Sequence, residues 1–535
     1  MKVFIPALKK SVAFQDDLVK KLDGITPVQR AIYLSSRLGV DLKDIHLITD
    51  SEEVRLIGDR NSISVYQDAR LKWNGRDLHG KILEYIECHT DQDDLIIILS
   101  PYAPLLNTVV LENAASDLVK SNKDILKPTK LVGQTLYSGE RISIDNIFLG
   151  NLKQEHEVES GAFTIIKRKS LFRKGKRSFS VLPWQLSHDI LEISTYQDWW
   201  VCEKLLQRKK IIFRVIGNNT VGMGHIYRSL SLAHEITDHE IIFVTDNENE
   251  VAVNNIAGYD YRIDVVGRRE IIDRIIELKP DLVINDILST SYKEIRKLTK
   301  SGIRVLNFED LGTGAKAANV TVNELFETPI QEHKNILWGH DYFFLRDEFL
   351  DAKPRQFGSD VESILLLFGG TDHHNLTSYI FNAVKDICLE RGIKIYIVTG
   401  PGYRAYPSLK NEVADEANVF LSHATGIISS IMEKCDLAIT SNGRTVYELA
   451  HMNIPSIVIP QNNREVTHTF ASEETGFISA NKFDKQKTWR EVRKQMELLL
   501  DNRKFRKQLY QKVSKYDFKD NKSKIMKLIY QLIGN

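Results

Sequence analysis

The 535-residue chain carries only four cysteines, Cys88, Cys202, Cys388 and Cys435, widely spaced and with no Cys-x-x-Cys pair. Such spacing gives neither a zinc cluster nor a disulfide framework, and it fits a reducing cytoplasm. An excess of charge of either sign is also missing. Seventy-two Lys and Arg stand against 71 Asp and Glu, a net charge of +1, so nothing in the balance calls for nucleic acid or an anionic membrane as a partner. The basic run Lys167 to Arg177 is local and reads as a solvated hairpin or loop. No window approaches the roughly 18 apolar residues of a membrane span. The start, Met1-Lys2-Val3-Phe4-Ile5-Pro6-Ala7, is a short strand followed by polar sequence rather than the apolar core of a signal peptide. The expectation is a soluble cytoplasmic protein with no transmembrane segment; the sequence sets no oligomeric state.

What is present is a repeated alternation. Short apolar runs occur at Lys2 to Pro6, Ile45 to Thr49, Leu95 to Leu99, Lys210 to Ile216, Glu240 to Thr245, Leu282 to Ile284, Arg304 to Phe308, Ser363 to Phe368, Ile393 to Val398, Leu437 to Thr440 and Ser456 to Ile459. Helix-length amphipathic segments separate them, which predicts an α/β chain of parallel sheets covered by helices on both faces. The length calls for about three folding units. The charged junction Gln207-Arg208-Lys209-Lys210 and the polar linker Ala352-Lys353-Pro354-Arg355-Gln356-Phe357-Gly358 divide the chain into 1–207, 208–351 and 352–535. Two similar α/β halves joined by a linker place a cleft at the carboxyl ends of their strands, where ligands bind in such sheets. Near the C-terminus, Phe505, Leu509 and Val513, then Ile525, Leu528, Ile529 and Leu532, recur at helical spacing and read as packing faces.

Gly222-Met223-Gly224-His225-Ile226-Tyr227-Arg228 directly follows the strand candidate Ile211 to Ile216. Glycines between a strand and a helix let backbone N–H groups approach a diphosphate, and His225 puts an imidazole beside the phosphates, able to accept a proton near neutral pH. Gly369-Gly370-Thr371 ends another strand and can offer amides and a hydroxyl to a pyrophosphate from across the cleft. Asn442-Gly443-Arg444-Thr445 stands at a strand-to-helix junction, where Arg444 can hold phosphate by charge-assisted hydrogen bonds. Asp310 and Asp372 are carboxylates at strand ends that serve equally well as helix caps. Gln461-Asn462-Asn463-Arg464-Glu465 lies within reach of sugar hydroxyls. His373 and His374 are neighbours, which point different ways on a strand or helix, and with His340 and His468 scattered elsewhere no metal site is expected.

Residues 208 to 535 resemble the UDP-sugar hydrolase of the pseudaminic acid pathway and its spore-coat polysaccharide relatives, a MurG-like branch of the GT-B glycosyltransferases with two Rossmann-like halves. The resemblance rests on Gly222-Met223-Gly224-His225 with Arg228, Asn307-Phe308-Glu309-Asp310, Leu367-Phe368-Gly369-Gly370-Thr371-Asp372, and Ser441-Asn442-Gly443-Arg444-Thr445-Val446-Tyr447-Glu448-Leu449-Ala450 leading to Ile454-Pro455-Ser456-Ile457-Val458-Ile459, in that order. It implies that His225 acts as base toward water, that Asp286, at the position of a family aspartate, is the candidate catalytic acid partner, and that Glu448 accepts hydrogen bonds from ribose hydroxyls. It also implies that Gly222, Gly224, Arg228, Asp310, Gly369, Gly370, Thr371, Asn442, Gly443, Arg444 and Thr445 line the nucleotide site. The chain departs from the family where Leu288 replaces the tyrosine that often follows the aspartate.

Residues 1 to 207 look like the cytidylyltransferases that activate sialic-acid-type nonulosonates, a GT-A-like nucleotidyltransferase fold. The matching pieces are Ile5-Pro6-Ala7, Leu22-Asp23-Gly24-Ile25-Thr26-Pro27 with Arg30-Ala31-Ile32, Ile48-Thr49-Asp50-Ser51, Ser100-Pro101-Tyr102-Ala103-Pro104-Leu105, Ser160-Gly161-Ala162-Phe163 and Glu192-Ile193-Ser194-Thr195-Tyr196-Gln197-Asp198. Active members carry an Arg-Gly-Gly-Ser-type loop where this chain has Leu8-Lys9-Lys10-Ser11, and a magnesium-holding aspartate pair where it has Glu192 and Ser194. A serine supplies no anionic oxygen for a hard cation, and the missing glycines remove close backbone approach to phosphate. The expectation is a degenerate domain, with Mg2+ involved only if it is active; Lys9, Lys10, Lys20 and Lys21 could still attract a nucleotide.

Three readings of the whole follow. The leading one is a UDP-sugar hydrolase acting on an amino or deoxy sugar in nonulosonic-acid or surface-polysaccharide biosynthesis, with no cofactor in the C-terminal module. The same cleft suits a glycosyltransferase in which His225 deprotonates a hydroxyl acceptor. A non-catalytic sugar-nucleotide-binding or assembly subunit is the third.

Overall fold

A computed structural model of the chain describes residues 1–9, 17–71, 76–133, 155–173, 178–187, 189–218 and 223–534. They form two compact units, Met1–Arg208 and Lys209–Asn535. No helix among the described residues is long and apolar enough to cross a membrane.

The first unit is built on eight strands: β1 (Lys2–Pro6), β2 (Ile45–Thr49), β3 (Ser64–Gln67), β4 (Leu95–Leu99), β5 (Ile125–Gly133), β6 (Glu155–Glu159), β7 (Phe163–Lys167) and β8 (Val181–Gln185). Their order is β3-β2-β1-β4-β7-β5-β6, with β8 pairing β5. The sequence predicts parallel sheets throughout, and here the sheet is mixed. β3, β2, β1 and β4 run parallel, whereas β7 is antiparallel to both β4 and β5, and β6 is antiparallel to β5. Only three residues separate β6 from β7, too few for the crossover that parallel neighbours need, so both strands run the same way along the nine-residue β5.

The second unit contains two parallel sheets. The first holds β9 (Lys210–Val215), β10 (Glu240–Asp246), β11 (Arg262–Val266), β12 (Leu282–Asp286), β13 (Arg304–Phe308), β14 (Val320–Asn323) and β15 (Ile336–Trp338), in the order β11-β10-β9-β12-β13-β14-β15. The second holds β16 (Ser363–Leu367), β17 (Lys394–Thr399), β18 (Val419–His423), β19 (Leu437–Ser441), β20 (Ser456–Ile459) and β21 (Phe477–Ser479), in the order β18-β17-β16-β19-β20-β21. Both have the Rossmann-like reversal of direction around the first strand. At such a point the connections leaving neighbouring strands part to opposite faces and open a crevice at the strand ends. The reversals fall between β9 and β12 and between β16 and β19.

Apolar continuity in β9 follows from cover on both faces. Ile211, Phe213 and Val215 pack into one cluster with Ile226 and Leu230 of the helix Gly224–Glu235, while Ile212 faces another with Ile271, Ile275 and Ile295. The chain's last helix, Asn521–Ile533, returns to the first sheet and buries Ile525, Ile529 and Ile533 in the cluster that contains Phe213. Truncating a fully buried isoleucine there costs transfer energy plus a cavity. Ile529→Ala should lower the stability of the second unit by about 2–5 kcal/mol, read from the denaturant midpoint of the full chain.

Candidate functional site

The connection from β9 enters the helix Gly224–Glu235 with His225 in its first turn, and β12 ends on Asp286, so both residues sit at the first sheet's reversal point. Asp286 is fully buried. His225 Nδ1 lies 2.5 Å from Asp286 Oδ1. Arg228, one helical turn beyond His225, donates from Nε to Asp286 Oδ2 at 2.8 Å and from Nη2 to Asp286 Oδ1, and Ser229 Oγ donates to Oδ2 at 3.1 Å. An ionised carboxylate this close requires the imidazole proton on Nδ1, so the 3.2 Å approach of Arg228 Nη2 to that nitrogen is a contact rather than a hydrogen bond. Nε2 is left as the basic nitrogen, and it bonds to no described residue. The His225 side chain is 8% exposed.

Arg228 also reaches Glu309, inside the Asn307 to Asp310 motif, and Glu324, which no motif marks. Its Nη1 lies 2.7 Å from Glu309 Oε1 and 2.5 Å from Glu324 Oε1, and its guanidinium stacks 4.8 Å from the Phe308 ring centroid. Glu309 follows β13 in the left-handed region at φ +50°, a strained setting for a residue with a Cβ. Burial by itself would push the Asp286 and Glu309 carboxyls up. The Arg228 cation, acting with the other charges and hydrogen bonds around each acid, outweighs it and holds both below the ordinary range, Glu309 well below. The three acids in turn hold the Arg228 proton against burial, well above the usual arginine value.

The second half closes on this cluster. A Cβ placed on Gly224 would lie 3.6 Å from Arg444 Cδ, and one on Gly370 would lie 3.8 Å from Met223 Cβ. Met223 and Gly224, the two residues before His225, thus abut Arg444 and Gly370. Arg444 Nη1 donates to Glu324 Oε1 with its guanidinium 4.5 Å from the Phe343 ring centroid, and Arg464 Nη2 donates to the Glu309 carbonyl at 2.8 Å. Gly369, at φ +81°, makes the turn that the sequence suggests. Behind it lies a second glycine loop that sequence reasoning passed over: a Cβ on Gly400 would meet Gly370 Cα at 2.4 Å, and one on Gly402 would meet Thr371 Cγ2 at 2.8 Å. Thr399-Gly400-Pro401-Gly402 was the available signal, a glycine pair directly after a strand.

Several candidates take other places. Gly222 lies outside the described residues. Arg228 is fully buried, its guanidinium engaged by Asp286, Glu309 and Glu324. Asp286 is likewise fully buried, its two oxygens taken up by His225, Arg228 and Ser229. Asp310 is a buried brace: it accepts from Thr290 N, Thr290 Oγ1, Asn307 Nδ2 and Gly312 N at 2.5–3.0 Å, which uses both of its oxygens. Asn442 donates to the carbonyls of Glu465 and His468, each at 2.8 Å, and ties two loops together. Asp372 caps the helix Leu376–Glu390 through the N–H groups of Leu376 and Thr377. Glu448 is buried and accepts from Arg346 Nε at 2.8 Å. Gly443 faces open space, and Thr445 begins the helix Thr445–His451. In the Gln461 to Glu465 loop, Glu465 accepts from Gln461 N and Asn442 N. The rings of His373 and His374 stand 5.5 Å apart, and among the described residues no group of three or more His, Cys, Asp or Glu gathers to ligate a metal.

In the first unit, Glu192 accepts from Ser160 Oγ at 2.5 Å and Gly161 N at 2.8 Å, with Lys130 Nζ at 3.4 Å. Ser194 N donates to Asp198, which completes a capping box with Thr195. Lys10 and Ser11 lie outside the described residues.

No family model matches the chain. Three proteins bear sequence similarity to it. An uncharacterized protein of Methanocaldococcus jannaschii is 30% identical over 278 residues, covering 47% of this chain and 56% of that protein, so the chain spans little more than half of that relative's length. The spore coat polysaccharide biosynthesis protein SpsG of Bacillus subtilis is 23% identical over 48% of this chain and 78% of its own. The UDP-2,4-diacetamido-2,4,6-trideoxy-beta-L-altropyranose hydrolase of Campylobacter jejuni is 24% identical over 50% of this chain and 97% of its own. Among solved structures, Acinetobacter baumannii MurG aligns with 60% of this chain and 99% of its own at 16% identity and a TM-score of 0.44. Anabaena HepE in complex with UDP and glucose aligns at 9% identity over 60% and 99%, with a TM-score of 0.42.

A carboxyl held low in the folded state contributes stability that is complete above its ordinary range and lost as pH falls through the folded value. Unfolding temperature should therefore drop below about pH 4, and Asp286→Asn should flatten that acid slope in calorimetry; an unaltered slope contradicts the assignment. Arg228→Met, which removes the cation that three buried acids share, should cost about 3–5 kcal/mol in a denaturant titration.

Proposed function

We propose that Lys209–Asn535 is a sugar-nucleotide enzyme with a GT-B arrangement that binds a UDP-linked amino or deoxy sugar in the crevice between its two sheets and transfers the sugar to water, within surface-polysaccharide or nonulosonic-acid biosynthesis. One observation carries the reading. The buried Asp286 fixes the proton of His225 on Nδ1 and leaves Nε2 basic, on a turn whose preceding residues touch Gly370 and Arg444 of the opposite half. In that setting Nε2 takes the proton of the attacking water, and the imidazolium is stabilised by the carboxylate behind it. The bond from the sugar to the diphosphate breaks, and the electron pair leaves with the UDP. Arg444 and the N–H groups around Gly369 to Thr371 meet the charge that develops on the departing diphosphate; no metal is invoked in this unit. Glu448, held by Arg346, would share its carboxylate with ribose hydroxyls. The Campylobacter relative's name, a hydrolase of a UDP-linked diacetamido sugar, supports the substrate class.

The first unit we read as a degenerate cytidylyltransferase-like domain. Glu192 has its oxygens engaged by Ser160, Gly161 and Lys130, and Ser194 offers no carboxylate, so this pair does not present the anionic oxygens that Mg2+ prefers.

His225→Ala should lower turnover of a responsive UDP-sugar by about 10²- to 10⁴-fold while UDP affinity, measured calorimetrically, stays close to that of the wild type. Turnover unchanged by the substitution removes His225 from the mechanism, and product that forms only with an added hydroxyl acceptor assigns transfer instead of hydrolysis. With CTP, Mg2+ and nonulosonic acids, the full chain should release pyrophosphate no faster than background; rapid release overturns the reading of the first unit.

A further inference from the structure

Two guanidiniums of the second half cross to carboxylates of the first, and the pairing is uneven. Glu324 takes Arg444 Nη1 and Arg228 Nη1 on the same oxygen, Oε1, while its buried Oε2 has no hydrogen-bond partner among the described residues. Arg464 lies 2.8 Å from the Glu309 carbonyl but only 3.3 Å from the carboxylate Oε2. Neither contact is the parallel two-bond fork that makes an arginine–carboxylate pair strong. Arg228 supplies what would make their exchange inexpensive: its Nη1 reaches both Glu309 and Glu324, so neither acid loses all compensation when a second-half arginine turns away. The two arginines are also the exposed members of the cluster. Arg228 has no exposed side-chain surface, whereas Arg444 and Arg464 are 20% and 29% exposed. Phe343, beneath Arg444, gives its planar head a surface to slide on as it changes partner.

We propose that Glu324 and Glu309 are positioning residues that compete with a nucleotide diphosphate for Arg444 and Arg464, so that binding is an exchange of anionic partners across the crevice. This rests on the reading of the crevice as a UDP-sugar site. Each acid keeps its arginine extended toward the first half, and the diphosphate, richer in charge and in acceptor oxygens, draws it over. The acids thereby set affinity low enough for UDP to leave, and they refuse ligands that bring no phosphate to the exchange.

The sign of one substitution separates competition from simple support. If the acids only brace the fold, removing their charge weakens binding; if they compete, it strengthens it. Titration calorimetry of the full-length protein with UDP, and with uridine as the phosphate-free probe, should find Glu324→Gln binding UDP about three- to tenfold tighter than the wild type, with uridine unaffected. Glu309→Gln should shift in the same direction and provides the measurement if the first variant does not fold. Arg444→Ala should weaken UDP binding, and the gain from Glu324→Gln should vanish in the Arg444→Ala background. Equal or weaker UDP binding by both glutamine variants, with the wild type still binding UDP through Arg444, overturns the competition and leaves the functional reading standing. A wild type that does not bind UDP, or that binds it regardless of Arg444, overturns both.

Discussion

Arg228 pairs with three acids at once, and the rest of the site depends on it. A fully buried guanidinium is costly to desolvate, and so is each of the carboxylates around it, so none of the four could occupy this position alone. Together they satisfy one another: Arg228 meets Asp286, Glu309 and Glu324, drawn from the ends of β12, β13 and β14. The side chain lies one helical turn from His225, and the aspartate it clamps is the one that fixes the imidazole tautomer. The orientation of the proposed base is therefore set by a buried ion cluster.

The placement of this cluster follows from sheet topology. Both parallel sheets reverse direction around their first strand, and the residues singled out by chemistry gather at those reversals, His225 and Asp286 in one sheet, Gly369 to Thr371 and Asn442 to Thr445 in the other. Glycine takes part in the second half in two ways. Gly369 provides a left-handed turn, and Gly370 and Gly400 bring two strand-end loops into backbone contact that a side chain would block. The outcome is that main chain of one half meets charged side chains of the other at the strand ends.

The central strands were legible because covered parallel strands leave unbroken apolar runs. Lys2–Pro6, Ile45–Thr49, Arg304–Phe308 and Ser456–Ile459 appear as strands with the bounds their sequences suggest. The edges were not. β15 and β21 have only three residues each, too few for an apolar run to mark a strand, while β3 is half-buried and β6 is Glu-His-Glu-Val-Glu, which lack the apolar signature of a covered strand. The site was legible where chemistry is local: the glycine turn, His225 and the arginine one turn away share a single helix. Glu324 was invisible because it lies 96 residues from Arg228 in the chain and no motif surrounds it. Asp310 and Asn442 stand inside recognisable motifs, yet their hydrogen bonds are spent on neighbouring loops, a use that only three-dimensional contacts disclose.

The account comes down to whether the His225–Asp286–Arg228 cluster faces a nucleotide diphosphate. A crystal structure of the full chain with UDP tests this most directly. The diphosphate should lie beside the contact between the Met223–Gly224 turn and the loop Gly369 to Thr371, held by Arg444, with His225 Nε2 turned toward its outer phosphate. Nucleotide bound elsewhere, or a diphosphate with Nε2 directed away into packed side chains, would contradict it.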